Sequence, residues 1–121
     1  VAAGTYYENI TWTATNFIKL VGSGEEDCII DGNQSGSVVS FINGEDSTAV
    51  LSGFTLTNGS STNGGGIYCN NSNPTLNNIK IIDNYNNNGI ITKTNKEPFN
   101  YMNKLFINYI IKYFKNACVC F

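Results

Sequence analysis

The sequence contains no histidine and no arginine; all seven of its cations are lysines. The absence of histidine removes the usual general base and a common metal ligand. The absence of arginine removes the planar fork that clamps phosphates and carboxylates. Charge of either sign is scarce, at 13% of residues against about 25% in an ordinary soluble domain. Proline occurs only at Pro74 and Pro98. Cysteine is limited to Cys28, Cys69, Cys118 and Cys120, too sparse and too oddly spaced for a disulfide framework and with no Cys-x-x-Cys pair. No apolar run is long enough to span a membrane. No signal peptide is recognisable, and Val1-Ala-Ala-Gly-Thr5 already reads as strand and turn, as expected of an excised fragment. The missing leader therefore carries no information about localisation.

What is present is glycine, asparagine, serine and threonine, a make-up suited to short strands joined by many turns. The net charge of −2 is unevenly distributed. Residues 1–98 hold four lysines and nine acids, a balance of −5, and residues 99–121 hold three lysines and no acid. Clustered cations of the kind that bind nucleic acid are absent from residues 1–98, so no nucleic-acid partner is expected.

An eleven-residue phrase occurs twice, 25 positions apart: Ala49-Val-Leu-Ser-Gly-Phe-Thr-Leu-Thr-Asn-Gly59 sets over Pro74-Thr-Leu-Asn-Asn-Ile-Lys-Ile-Ile-Asp-Asn84. A fixed period of this length marks a stacked repeat in which no unit buries its apolar face alone. Two series of alternating strands can be laid out. One places Ile18/Leu20, Val39/Phe41, Ile67/Cys69 and Ile90/Thr92 inward. The other places Cys28/Ile30, Phe54/Leu56 and Ile79/Ile81 inward, with a short third strand around Leu51 and Leu76. Three short strands then close one turn of a coil, successive turns pair in parallel, and turn asparagines stack as ladders. The spacing predicts an all-β, right-handed parallel β-helix fragment of about three to four coils over residues 1–98, its hand following the rule for parallel crossovers.

Val1-Ala-Ala-Gly-Thr-Tyr-Tyr-Glu-Asn-Ile10, Ile18-Lys-Leu-Val-Gly-Ser-Gly24 and Ile29-Ile-Asp-Gly-Asn33 resemble the opening coils of pectin-lyase-like right-handed β-helix proteins, pectin esterases among them. Gly64-Gly-Gly-Ile-Tyr-Cys69 and Phe54-Thr-Leu-Thr-Asn58 resemble repeats of bacterial surface β-helix proteins, including polymorphic outer-membrane proteins. The resemblance covers roughly residues 1–92. It implies a fold, not an activity, because such coils serve lyases, hydrolases, esterases and adhesins alike. The Gln, Asp and Arg motifs of pectin esterases have no match here, nor do the catalytic motifs of polygalacturonases and pectate lyases.

Residues 99–121 depart from the pattern. Met102, Phe106, Tyr109, Ile110 and Tyr113 share one helical face, with Lys104, Asn108, Lys112 and Lys115 opposite, which predicts an amphipathic helix over 99–116. The segment reads either as a helical C-terminal cap or as a non-native, frame-shifted end.

Candidate chemistry is sparse. Glu25, Glu26 and Asp27 form an acidic turn and are the only candidate Ca²⁺ ligands, since hard cations want several oxygens. No other cofactor is indicated. Asp31, Glu45, Asp46 and Asp83 read as turn formers. Cys28 and Cys69 alternate with apolar neighbours and read as small buried hydrophobes in different strand series. Tyr68, Asn70 and Asn71 combine an outward aromatic ring with amides and are the candidate carbohydrate contacts. Asn9, Asn33, Asn58 and Asn70 each head an Asn-x-Ser/Thr sequon.

The functional expectation is a structural or adhesive repeat module of a longer extracellular or cell-surface β-helix protein. Its partners would be neighbouring coils and a polysaccharide or surface glycan. The competing expectation is a non-catalytic fragment of a carbohydrate-active enzyme of the lyase, hydrolase or pectin-esterase type. Facing carboxylates on one outward ladder would favour the enzyme.

Overall fold

The computed structural model describes residues 1–86, 91–93 and 119–120, with side chains through Tyr85. Every strand pairing in it is parallel, and a single isolated antiparallel bridge joins Gly36 to Ser60. The chain is a β-solenoid of about three turns, as its repeat predicts. Among the described residues there is no helix.

The first coil consists of β1 (Gly4–Tyr7), β2 (Ile10–Thr11) and β3 (Lys19–Val21). The second consists of β4 (Cys28–Asp31), β5 (Val39–Phe41) and the first half of β6 (Val50–Thr57). The third takes the second half of β6, then β7 (Ser60–Ser61), β8 (Ile67–Cys69) and the first half of β9 (Thr75–Ile81). The rest of β9 begins a fourth coil with β10 (Tyr85–Asn86) and β11 (Ile91–Lys93), on which β12 (Val119–Cys120) pairs.

Three inward ladders run up the stack. On the first face, Tyr6, Ile30, Leu56 and Ile81 lie in register. On the second, Ile10, Val39 and Ile67 do so, with the backbone of Ile91 in register above, and on the third Leu20, Leu51 and Leu76. Leu51, Leu56, Val39, Phe41, Ile67 and Ile81 are completely buried. Alternation produces this, because each inward residue meets its counterpart in the next coil while its neighbours face out. Trp12 caps the second ladder against Phe41, with ring centroids 4.8 Å apart.

The pairings foreseen for Val39 with Ile67, Phe54 with Ile79 and Leu56 with Ile81 are all present. Two placements differ. Ile18 and Leu20 do not stack below Val39 and Phe41. Ile10 pairs with Val39, while Leu20 pairs with Leu51 and joins the third ladder, leaving Ile18 exposed. The first coil is spaced unlike the next: Ile30 lies ten residues after Leu20 where Leu56 lies five after Leu51, and Ile10 lies four after Tyr6 where Val39 lies nine after Ile30, so counting by period fails there. On the uppermost strand the register sets Ile91, not Ile90, opposite Ile67. The predicted helix at 99–116 and the fate of the 99–121 tail lie outside the described residues.

The corners are built from residues that accept positive φ. β6 and β9 turn from the third face to the first at a single residue, Gly53 (φ 76°) and Asn78 (φ 49°) respectively. A Cβ on Gly53 would sit 2.7 Å from the Gly22 carbonyl oxygen in the coil below, so the corner needs glycine for clearance as well as for conformation. At the opposite corner Asn33, Asn58 and Asp83 are left-handed. There Asn58 Nδ2 donates to Asp31 Oδ2 at 2.9 Å, one coil below. The neighbouring Asn84 is buried: its Oδ1 accepts from Gly59 N at 2.7 Å, and its Nδ2 donates to the carbonyls of Leu56 and Ile82 at 3.0 and 2.9 Å. The expected amide ladder is thus a set of inter-coil clamps that satisfy backbone groups released at the turn.

Candidate functional site

The sheet β2-β5-β8-β11 turns Thr11, Ser40 and Tyr68 to its outer side, with Thr92 in register above. Tyr68 is half-buried. The chain then turns through Ile42–Gly44 in the second coil and Asn70–Asn71 in the third. Asn70 and Asn71 are exposed beside Tyr68, and Asn71 takes a left-handed conformation (φ 51°) that aims the next residues inward. Asn43 Nδ2 donates to the Trp12 carbonyl at 2.8 Å and ties this turn to the first coil. The structure thus brings the three candidate carbohydrate contacts to one rim of one sheet.

Beneath that rim lies a feature that the sequence reading treated as an ordinary turn acid. Glu45 is buried at 5% exposure. Its Oε2 accepts from Ser72 Oγ at 2.6 Å and from Asn43 N at 3.0 Å, and its backbone carbonyl accepts from Asn73 N at 2.7 Å. One carboxylate therefore closes its own turn and fastens the turn above. Glu45 and Ser72 stand 27 residues apart, close to the repeat, but that spacing alone does not mark the acid as buried.

The acidic turn behaves differently. Residues 22–27 form an extended corner between β3 and β4, where the later coils use one residue. Thr55 Oγ1 donates to the Glu25 carbonyl at 2.5 Å, and Asp27 O accepts from Gly4 N at 2.8 Å. Glu26 pairs with Lys80 two coils away at 3.3 Å, an exposed ion pair worth little. Among the described residues no group of three or more His, Cys, Asp or Glu side chains is gathered to hold a metal ion, so Glu25, Glu26 and Asp27 do not make a Ca²⁺ cage on their own.

Other carboxylates are engaged in local structure. Asp31 accepts from Asn33 N at 2.8 Å as well as from Asn58. Asp46 Oδ1 accepts from Thr48 N and Oγ1 at 2.9 and 2.5 Å, and these bonds, the side-chain one foremost, hold its carboxyl below the ordinary value of 3.8. Cys28 and Cys69 are both buried, as their alternation predicts. No helix among the described residues is long and apolar enough to cross a membrane. What the outer face can do is present hydroxyls, amides and one aromatic ring on a rigid sheet, without a charged group in the ladder.

No protein-family model, curated protein or solved structure matches this chain.

Proposed function

We propose that this chain is a structural, adhesive repeat module of an extracellular or cell-surface β-helix protein, stacked on neighbouring coils and contacting carbohydrate through the rim at Tyr68, Asn70 and Asn71. The observation that carries the reading is the chemistry of that rim. A neutral polyol is recognised by hydroxyls and amides around an aromatic ring, and the outward ladder Thr11–Ser40–Tyr68 with its flanking asparagines supplies those groups. The carboxylates support a binding role over a hydrolytic one. Glycoside hydrolysis needs two carboxyl groups facing one bond, whereas Asp31, Glu45 and Asp46 each accept hydrogen bonds from their own turn.

The test is titration of the chain with soluble neutral and acidic oligosaccharides, including oligogalacturonides, followed calorimetrically and by turnover assay. Binding that is lost in Tyr68→Ala, with the far-UV dichroism unchanged, is the expected result. Absence of binding across the set, or cleavage of any of these substrates above a buffer blank, would overturn the proposal.

A further inference from the structure

An asparagine followed by glycine readily loses its side-chain amide, because glycine leaves the next backbone nitrogen unshielded and the chain free to bend. The sequence has four such pairs, beginning at Asn43, Asn58, Asn63 and Asn88. The last lies outside the described residues. The fold treats the other three differently.

At Asn58-Gly59 both reacting groups are occupied. Gly59 N donates to Asn84 Oδ1 at 2.7 Å, and Asn58 Nδ2 donates to Asp31 Oδ2 at 2.9 Å. Gly59 is also buried. At Asn63-Gly64 the glycine is buried, and a Cβ there would strike the Ile67 carbonyl, so the backbone has no room to close a ring. Asn43-Gly44 is open. Both residues are exposed, and a Cβ on Gly44 would meet nothing within 4 Å. Among the described residues none accepts from Gly44 N. Asn43 Nδ2 keeps one bond, to the Trp12 carbonyl at 2.8 Å. The turn belongs to the second coil, with the first coil on one side and the third on the other, so its exposure is that of the solenoid wall.

We propose that Asn43 is a self-modifying site of the folded chain. Gly44 N attacks Asn43 Cγ and closes a succinimide. The Cγ–Nδ2 bond breaks, and the departing nitrogen takes the Gly44 amide proton and leaves as ammonia. Water then opens the ring at either carbonyl, giving aspartate or isoaspartate at position 43. The reaction consumes only water and involves no change of oxidation state.

The product undoes a tie between coils. Nδ2 is the donor to the Trp12 carbonyl, and the ionised oxygen that replaces it has no proton to give. The new carboxylate also stands two residues from buried Glu45, whose Oε2 accepts from Asn43 N at 3.0 Å. Isoaspartate lengthens the main chain besides, between that donating nitrogen and Gly44. Modification therefore loosens the second-coil turn from the first coil, where Trp12 reports it. The inference does not depend on glycan binding.

Peptide mass spectrometry of the whole chain, kept folded at neutral pH and sampled over time, tests it, with isoaspartate detected by enzymatic methylation. Asn43 is expected to convert at least about tenfold faster than Asn58 or Asn63, the factor that one further hydrogen bond puts on a barrier. In urea the three sites are expected to converge. Gly44→Ala is expected to slow conversion at Asn43 and to leave Asn58 and Asn63 unchanged; if that variant does not fold, the comparison of sites in folded and urea-unfolded wild type decides. Asn43→Asp imitates one product and is expected to shift the Trp12 fluorescence. An Asn43 that stays intact in the folded chain, conversion at Asn58 or Asn63 as fast as at Asn43, the same ranking of sites in urea, a folded Gly44→Ala chain that converts at the wild-type rate, or an Asn43→Asp chain with unaltered fluorescence would overturn the proposal.

Discussion

Replacing Leu51 by alanine should cost far more stability than the same replacement at Leu20, although the two leucines belong to one ladder. Leu51 is fully buried, with Leu20 in register below it and Leu76 above. The backbones on both sides are held by ladder hydrogen bonds, so the hole left by truncation cannot collapse. That places the cost toward the upper part of the range for buried leucine, about 3–5 kcal/mol. Leu20 is half-buried and already borders the open cavity at the end of the stack. Its truncation removes less covered surface and creates no enclosed void, for about 1–2 kcal/mol. Urea denaturation measures both. Far-UV dichroism follows the stack as a whole, and the fluorescence of the single tryptophan, Trp12, follows the first coil. Equal costs at the two positions, or a cost at Leu51 below about 1 kcal/mol, would refute a core built by stacking.

Asn84→Ala strips partners from a buried amide and carbonyl at the corner and is expected to cost about 2–4 kcal/mol in the same denaturation experiment. Gly59→Ala would drive its Cβ into the Gly65 carbonyl and should prevent folding at 37 °C, whereas Gly44→Ala meets open space and should cost only about 1 kcal/mol for its positive φ. Asp46 has a carboxyl lowered by Thr48, so its contribution is present above its ordinary value of 3.8 and is lost as pH falls through the lower folded value. In Thr48→Val the Asp46 titration, read by carboxyl carbon chemical shift, is expected to move back up toward that ordinary value.

The architecture was legible because the repeat is almost undecorated where it matters. Ala49–Gly59 and Pro74–Asn84 differ by no insertion, so register could be read directly, and the paired positions Phe54/Ile79 and Leu56/Ile81 followed. The first coil was misread where insertions enter. A short link from Tyr6 to Ile10 and the long corner at 22–27 shift its strands, and periodicity cannot tell which of two alternating runs has been displaced. The rim of Tyr68, Asn70 and Asn71 could be assembled from sequence because outward and turn positions follow once register is known. Glu45 could not. Its burial depends on Ser72 reaching down from the next coil, and an acid beside a glycine reads as a solvated turn unless the stacking partner is known.

The central claim is parallel coil-on-coil pairing at an offset of 25–26 residues, and nuclear Overhauser contacts in a uniformly labelled sample address it directly. The account predicts side-chain contacts linking Ile30 to Leu56 to Ile81 and Phe54 to Ile79, with sequential amide-to-α contacts between the same strands. Strong α-to-α contacts between residues 50–57 and 75–81, the mark of antiparallel neighbours, would contradict it.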